Sequence, residues 1–205
     1  MPIKALMVDV DGVLLVHPHP AGWSANLERD LKLSARAIQD EFFTPHFGEI
    51  VHGRATLRER LEPVLARIAP HLGVEDFLAY WFEQDFHPDE RLLADLALVR
   101  AGGVAVHLAT VQEHERANYL WRTMRWNERF DAIHYAADLG WAKPAPEFFK
   151  AIEARTGLAP SELAFIDDKP ANVEAARACG WRGEVWTGRQ NLHALIPGLI
   201  VADEP

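Results

Sequence analysis

Two acids, Asp9 and Asp11, are the residues whose types and spacing most directly suit chemistry, since one residue separates them and Gly12 follows. The short apolar run at residues 5–8 comes directly before them and predicts a buried strand. Ligands of open α/β sheets bind just beyond the carboxyl ends of strands, where two carboxylates repel each other unless a cation, a shared proton or a reaction offsets their charge. The pattern favours a hard divalent cation, with magnesium as the first candidate, although a merely acidic turn has the same composition.

Three further motifs place reactive groups in a similar context. Asp167 and Asp168 follow a second apolar run, Thr110 ends a third, and Lys143 lies in a segment rich in proline and aromatic residues. Because the carboxyl ends of parallel strands meet at one edge of a sheet, the acids and the hydroxyl are expected to lie together. The chain therefore supplies four acids, a hydroxyl and an ammonium for one site.

The four motifs in this order resemble those of the haloacid dehalogenase superfamily of hydrolases. The resemblance extends over residues 3 to about 188 and is greatest to the branch that carries a helical cap directly after the first motif. It implies that Asp9 is a nucleophile and a magnesium ligand, and that Asp11 is a general acid and base with its backbone carbonyl on the metal. It also implies that Asp168 binds the metal directly and that Asp167 binds it directly or through water.

The resemblance assigns the remaining site residues to the phosphoryl group of a substrate. Thr110 would donate a hydrogen bond to it, and Lys143 would pair with Asp9 and with the phosphoryl oxygens. Relatives often have a small polar residue after the threonine, where this chain has Val111 followed by Gln112. The backbone N–H of Val111 can still donate to a phosphate, so we expect it to bind substrate without a side-chain contact.

Asp11 separates the reactions that this superfamily catalyses. Chloride is a weak base and leaves carbon without a proton, whereas an alkoxide leaving phosphorus needs one. An acid two residues after the nucleophile therefore favours a magnesium-dependent phosphatase that forms an aspartyl-phosphate. A phosphomutase or a dehalogenase of the same superfamily, and a non-catalytic binding protein on this fold, remain as alternatives. A phospho-receiver domain also combines acids, Thr, Lys and magnesium, but it would be shorter and would have its reactive Asp on a middle strand.

Apolar runs alternate with helical patterns, which predicts an α/β fold with a Rossmann-like three-layer parallel sheet core and an inserted α-helical cap. The predicted strands are 3–8, 104–109, 131–135, 163–166 and 183–186. The predicted core helices are 89–101, 113–124, 146–156, 171–179 and 190–195, with Asp89 as a candidate cap of the first. Residues 16–87 break the alternation, with helical patterns at 24–33, 35–43, 57–68 and 74–82. We therefore predict a core domain of residues 1–15 and 88–205 and a cap domain of residues 16–87.

The composition limits the kinds of binding partner and the compartment that we expect for the protein. A length of 205 residues suits one domain with a sizeable insertion, and a net charge of −9 argues against nucleic-acid binding, which relies on clustered Lys and Arg. The single cysteine, Cys179, fits a reducing compartment. Apolar runs are too short for a signal-peptide core or a membrane span, so the expectation is a cytoplasmic protein without membrane partners. The sequence leaves its oligomeric state open.

The substrate class follows from the predicted cap. Chemistry at the sheet is common to all phosphomonoesters, so residues 16–87 are expected to choose among them and to exclude large folded substrates. Small phosphorylated metabolites are therefore the predicted partners. His17, Trp23 and Arg54 are the cap positions at which substitution is expected to shift substrate preference, although such residues more often serve turns, packing or solvated surface.

Overall fold

The computed structural model of the protein describes residues 2–196 and 198–199, with a five-stranded parallel sheet at its centre in the order β3-β2-β1-β4-β5. The strands are β1 (Ala5–Val8), β2 (Ala105–Thr110), β3 (Ala132–Tyr135), β4 (Leu163–Asp167) and β5 (Arg182–Val185). This arrangement confirms the predicted α/β fold with its parallel sheet. The predicted core segments also extend over Met1, Pro197 and residues 200–205, which lie outside the described residues.

Alternate residues of β1 explain why the sheet forms the middle of three layers. Leu6 and Val8 pack into one hydrophobic cluster, whereas Ala5 and Met7 pack into another on the opposite face. Successive side chains of a strand point to opposite faces, so a strand that is apolar throughout is covered on both sides. Helices supply that cover, as crossover connections between parallel strands require.

The helices of the core lie between successive strands, except for the last one, which follows β5. They are α6 (Glu90–Ala101), α7 (His114–Asn118) with a π-helical turn at Tyr119–Thr123, α8 (Ala136–Leu139), α9 (Pro146–Thr156), α10 (Pro170–Ala178) and α11 (Leu192–Leu195). The side chain of Asp89 accepts a hydrogen bond from the backbone N–H of Leu92 at 3.0 Å, so it caps α6 as its sequence position suggested.

Between β1 and α6 lies a helical segment, residues 22–84. Its helices are a 3-10 turn (Gly22–Asn26), α1 (Leu27–Leu31), α2 (Ala35–Ile38), a π-helical turn (Gln39–Phe43), α3 (Thr44–Val51), α4 (Leu57–Ile68) and α5 (Val74–Gln84). A separate hydrophobic cluster fills it, and every buried member of that cluster lies between Leu27 and Phe82. The segment therefore has a core of its own.

The two chain ends of the helical segment leave the core side by side. The backbone N–H of Val16 donates to the carbonyl of His87 at 3.0 Å, and that of Asp89 donates to the carbonyl of Leu14 at 2.8 Å. The predicted boundaries at residues 16 and 87 fall at this paired crossing. Among the described residues, the helices are all too short or too polar to cross a bilayer.

Candidate active site

The four sequence motifs meet at the carboxyl edge of the sheet, because β1 lies between β2 and β4. Val8 is in register with Leu108 on one side and with Ile166 on the other. The residues that follow these three positions are therefore neighbours in space. Asp9 extends the β1 register by donating its backbone N–H to the carbonyl of Ile166 at 3.0 Å.

Lys143 is the buried cation of the site. Its Nζ lies 2.8 Å from Asp9 Oδ1 and 2.6 Å from Asp167 Oδ2, and it donates to the backbone carbonyl of Ala109 at 2.9 Å. The side chain comes from the loop between α8 and α9, where the Lys143–Pro144 peptide bond is cis. A buried ammonium with three acceptors is fixed in position, and one of its acceptors is the proposed nucleophile.

Asp167 is saturated with donors. Its carboxylate accepts hydrogen bonds from Lys143, from the side chain of Asn172 and from the backbone N–H of Lys169. Burial alone would raise its pKa, but the charge of Lys143 and these donors outweigh that effect, so the pKa is lowered. Asp167 is therefore an anchor that holds Lys143 in place, with little lone-pair capacity left for a direct metal bond.

Asp168 has the opposite character. Its Oδ1 is buried and has no hydrogen-bond partner within the part of the chain that the structure describes. Burial raises its pKa, while Lys169 opposes the shift. The carboxyl lies directly against the backbone of Gly12, which has a φ of +83°. A buried carboxylate oxygen without a donor costs free energy unless a ligand satisfies it.

The carboxylates of Asp9, Asp167 and Asp168 each have an oxygen within 4.8 Å of those of the other two. Three acids at this spacing, one with an orphaned oxygen, match the oxygen-donor set that Mg²⁺ prefers. The residues present therefore fit a magnesium ion.

Asp9 is buried, and its environment explains its electrostatics. Burial raises its pKa to about 7, the attraction of Lys143 opposes that rise, and the charge of Asp167 reinforces it. Positive charge in addition to Lys143 would favour the ionised form that a nucleophile requires. Asp9 Oδ1 also accepts the backbone N–H of Val10 at 2.7 Å, which fixes the orientation of the carboxylate.

Asp11 lies at the mouth of the site and keeps an exposed surface in the cleft. Its Oδ2 accepts a hydrogen bond of 2.6 Å from the side-chain amide of Gln112. The surrounding protein desolvates the carboxyl and raises its pKa, while the charge of Arg116 lowers it. A carboxyl group whose pKa is raised keeps a proton more readily than a solvated one, as a group that gives and takes protons requires.

Thr110 completes the set that the sequence singled out. Its Oγ1 is buried and, among the described residues, has no hydrogen-bond partner. Val111 follows it at the end of β2 and is partly buried. An orphaned hydroxyl at the carboxyl edge of the sheet is available to an anionic group of a ligand.

Besides the contact of Gln112 with Asp11, sequence reasoning missed three residues of this region. Asn172 donates to both carboxylate oxygens of Asp167. Arg116 is fully buried and donates to the carbonyl of Phe82, at the far end of the helical segment. Glu113, which the sequence assigned only to a helical first turn, caps α7 by accepting the backbone N–H groups of Glu115 and Arg116. Of these three residues, only Asn172 had a signal in the sequence. It follows the second acid pair and lies in the first turn of a predicted helix.

Solved structures share this fold. A haloacid dehalogenase family enzyme from Bacteroides thetaiotaomicron, in complex with magnesium and inorganic phosphate, aligns with a TM-score of 0.78 over 95% of this chain and 100% of its own, at 22% identity. A predicted hydrolase of this type from Porphyromonas gingivalis aligns with a TM-score of 0.74 over 93% of this chain and 94% of its own, at 20% identity. The L-2-haloacid dehalogenase of Xanthobacter autotrophicus aligns at 0.65 and 16% identity, over 97% of this chain and 84% of its own.

A curated relative adds a sequence match. The sesquiterpene phosphatase astK of Aspergillus oryzae is 31% identical over 102 residues, which are 47% of this chain and 49% of that protein. The chain thus spans about half the length of this relative. Residues 3–180 match the family described as haloacid dehalogenase-like hydrolase. With that match over most of its length, the motif order and the shared fold, the chain belongs to the haloacid dehalogenase-like hydrolases.

Proposed function

We propose that the protein is a magnesium-dependent phosphatase that hydrolyses small phosphomonoesters through an aspartyl-phosphate on Asp9. One observation carries the proposal. Asp168 Oδ1 and Thr110 Oγ1 are buried without a hydrogen-bond partner among the described residues. They lie at the same sheet edge as Asp9, whose carboxylate pairs with the ammonium of Lys143. A cation would satisfy Asp168 Oδ1, and a phosphoryl oxygen would accept a hydrogen bond from Thr110 Oγ1. Together the two atoms favour a site that binds a metal ion and an anion.

The residues proposed to hold the ion are Asp9, Asp168 and the backbone carbonyl of Asp11, with Asp167 in contact through water. When bound, Mg²⁺ supplies positive charge that offsets the approach of a carboxylate to an anionic phosphoryl group. Lys143 contributes a fixed charge from the protein side, because its Nζ is already 2.8 Å from Asp9 Oδ1.

The chemistry then has two steps. In the first, a carboxylate oxygen of Asp9 attacks phosphorus, the bond to the leaving oxygen breaks, and Asp11 gives that oxygen a proton. In the second, Asp11 takes a proton from water as the water attacks phosphorus, and the bond to Asp9 breaks. Thr110 Oγ1 and the backbone N–H of Val111 donate to the phosphoryl oxygens, where charge is spread in the transition state.

The size of the substrate follows from a cavity next to Asp11. It measures about 390 Å³, and both chain crossings of the helical segment border it through His17, His19 and Asp85. We propose that residues 16–87 form a cap over the site and that the leaving group occupies this cavity. A cavity of this size beside an inserted helical segment suits a small metabolite rather than a folded phosphoprotein.

The names of similar proteins support a phosphatase over the alternatives. One solved relative contains magnesium and phosphate, and the curated relative is a sesquiterpene phosphatase. Asp11 disfavours a dehalogenase, since halide expulsion needs no proton, whereas a phosphomutase would use the same acids and yield a rearranged ester. A cytoplasmic location and the absence of nucleic-acid and membrane partners remain predictions.

The proposal is tested with a panel of phosphorylated metabolites and an aryl phosphate, by measuring inorganic phosphate in magnesium and again in excess chelator. We expect release only with magnesium, and no release by Asp9→Asn. Asp40→Asn, which removes an exposed carboxylate from the helical segment, is the matched control and should behave as wild type. Rapid quenching followed by peptide mapping should find phosphate on Asp9. Release by Asp9→Asn above about a thousandth of the wild-type rate would exclude the covalent route.

A further inference from the structure

We infer that Gln112 is a positioning residue for Asp11: its side-chain amide fixes the carboxyl so that one oxygen is held by the protein and the other faces the substrate. The inference rests on the proposed phosphatase function and adds to it a residue outside the motifs of the sequence. It begins from the 2.6 Å hydrogen bond between Gln112 Nε2 and Asp11 Oδ2.

The loop that carries Gln112 is held at both ends. The carbonyl of Gln112 accepts the backbone N–H of Ala137 at 3.1 Å, and the next residue, Glu113, caps α7. Gln112 itself is only 6% exposed. A buried side chain on a fixed loop has lost its rotamer freedom on folding, so its amide is preorganised toward Asp11.

Asp11, in contrast, has an exposed surface in the cleft and comes just before a sharp turn at Gly12. An aspartate in such a place has a broad χ2 distribution, so either oxygen could face the leaving group. An ionised carboxylate only accepts hydrogen bonds, so the amide nitrogen of Gln112 must be the group that faces it. This bond assigns Oδ2 to the protein and leaves Oδ1 for proton exchange.

The reaction uses that assignment twice. A proton on Oδ1 passes to the leaving oxygen while the phosphorus–oxygen ester bond breaks and the bond to Asp9 forms. The resulting carboxylate, still held at Oδ2, then takes a proton at Oδ1 from the attacking water while the bond to Asp9 breaks. Gln112 neither gives nor takes a proton in these steps, and its effect is on the angle at which Oδ1 meets the substrate.

The test uses Gln112→Met, which keeps length and volume but removes the donor, and Gln112→Ala in case the first fails to fold. Gln190→Met is the control outside the site, because the Gln190 amide also hydrogen-bonds the protein: Nε2 donates to the carbonyl of Val185 at 2.9 Å, and Oε1 accepts the backbone N–H of Thr187 at 2.8 Å. Each variant is assayed with an alkyl phosphate and with an aryl phosphate, whose leaving group needs no proton. The initial burst of aryl alcohol reports the first step alone.

For Gln112→Met we expect kcat on the alkyl phosphate to fall about 10- to 100-fold with KM within about twofold, as general acid catalysis contributes on this order. The aryl burst rate should change less than about threefold, and Gln190→Met should match wild type. In an Asp11→Asn background, Gln112→Met should cause no further loss, because it acts through a group that is already missing.

Two results would overturn the inference: an aryl burst rate that falls as far as kcat on the alkyl phosphate does, or losses that multiply in the Asp11→Asn, Gln112→Met double variant. If the proposed function itself is wrong, the wild-type protein will release no phosphate from either substrate. That result would also exclude the role of Gln112.

Discussion

Gly12 has no side chain at the one place where Asp168 needs the space. A Cβ built on Gly12 would lie 2.6 Å from Asp168 Oδ2 and 2.7 Å from its Cγ, well inside van der Waals contact. The glycine of the first motif thus lets the acid of the fourth motif approach the backbone between Asp11 and Val13. The two motifs are 156 residues apart by their numbers in the chain, and the sheet register joins them.

Gly12→Ala should therefore damage the metal site as well as the fold. The φ of +83° costs an alanine about 1–2 kcal/mol, and the new methyl group must also displace the carboxyl of Asp168. Gly103→Ala is the control, because Gly103 has a φ of +90° and nothing within 4 Å of the added Cβ. Both variants should lose stability in chemical denaturation, whereas only Gly12→Ala should weaken Mg²⁺ binding in calorimetry. Equal magnesium affinity in the two variants would contradict this account.

Asp167 and Asp168 should differ in their effects on the metal and on stability. Asp168→Ala removes the acid whose Oδ1 is orphaned, so we expect magnesium affinity to fall by about tenfold or more with little loss of stability. Asp167→Ala leaves the buried ammonium of Lys143 without one of its two carboxylate partners, which should cost about 3 kcal/mol or more. Metal titrations should show the larger loss of magnesium affinity in Asp168→Ala, and denaturation curves should show the larger loss of stability in Asp167→Ala. A larger loss of magnesium affinity in Asp167→Ala would exchange the two assignments.

The sequence was sufficient to predict the strand ends and their acids because both depend on local patterns. Apolar runs of strand length ended in Asp9 and in Asp167, and the parallel order brought those ends together. Gln112 and Arg116 were not predicted, because their partners lie 101 and 31 residues away and only the assembled register joins them. No local pattern marks a side chain that becomes functional through such a contact.

The helix α3 also escaped prediction, and proline accounts for it. The pattern predicted a helix ending at Phe43, whereas the chain continues through a π-helical turn into α3, with Pro45 in the first turn of α3. Phe43 and Thr44 keep helical dihedrals, so the proline lies within one continuous helix, next to a π-helical turn in which the N–H of Thr44 donates to the carbonyl of Gln39. In a sequence, proline is read as a break in a helix. The continuation of this helix past Phe43 could not be predicted for this reason.

A pair of histidines on neighbouring strands should make the protein sensitive to acid. His107 Nδ1 lies 3.1 Å from His134 Nε2, so one ring donates to the other only while the pair keeps a neutral nitrogen as acceptor. Burial, together with the charges of His107 and Arg155, lowers the pKa of His134 to about 4. Asp138 opposes these effects. The folded state thus binds a proton more weakly than the unfolded chain does.

The sign of the effect follows from that difference. The unfolded histidine takes up its proton as the pH falls through about 6.5, whereas the folded one resists until about pH 4, so stability is complete above this window and is lost on acidification through it. Between about pH 7.5 and about pH 5 the loss due to His134 should be about 2 kcal/mol. His134→Gln should flatten that part of the curve of unfolding free energy against pH, while His71→Gln, at a surface position, should leave it unchanged. Parallel curves for wild type and His134→Gln would refute the prediction.

The proposed cap offers a test of substrate choice at His17, whose ring joins the two chain crossings. Its Nδ1 accepts the backbone N–H of His19 at 3.0 Å, its Nε2 lies 3.1 Å from the carbonyl oxygen of Gln84, and the ring meets His87 edge-on. The same ring borders the cavity beside Asp11. Trp23 is a poorer probe than the sequence suggested, since it packs in the aromatic cluster of the helical segment and its loss would act through packing.

His17→Ala should therefore change which metabolite is preferred more than it changes the basic reaction. The leaving group of a metabolite would fill the cavity that His17 lines, whereas a small aryl phosphate needs little from it, so kcat/KM should shift by about tenfold for the former and about twofold for the latter. His71→Ala is the control, because His71 hydrogen-bonds the carbonyl of Leu31 within the helical segment and away from that cavity. Arg54→Ala, in the exposed loop whose neighbour Gly53 abuts the backbone of Ala137, is expected to act in the same direction as His17→Ala. Identical substrate profiles for wild type, His17→Ala and Arg54→Ala would show that discrimination arises elsewhere than in residues 16–87.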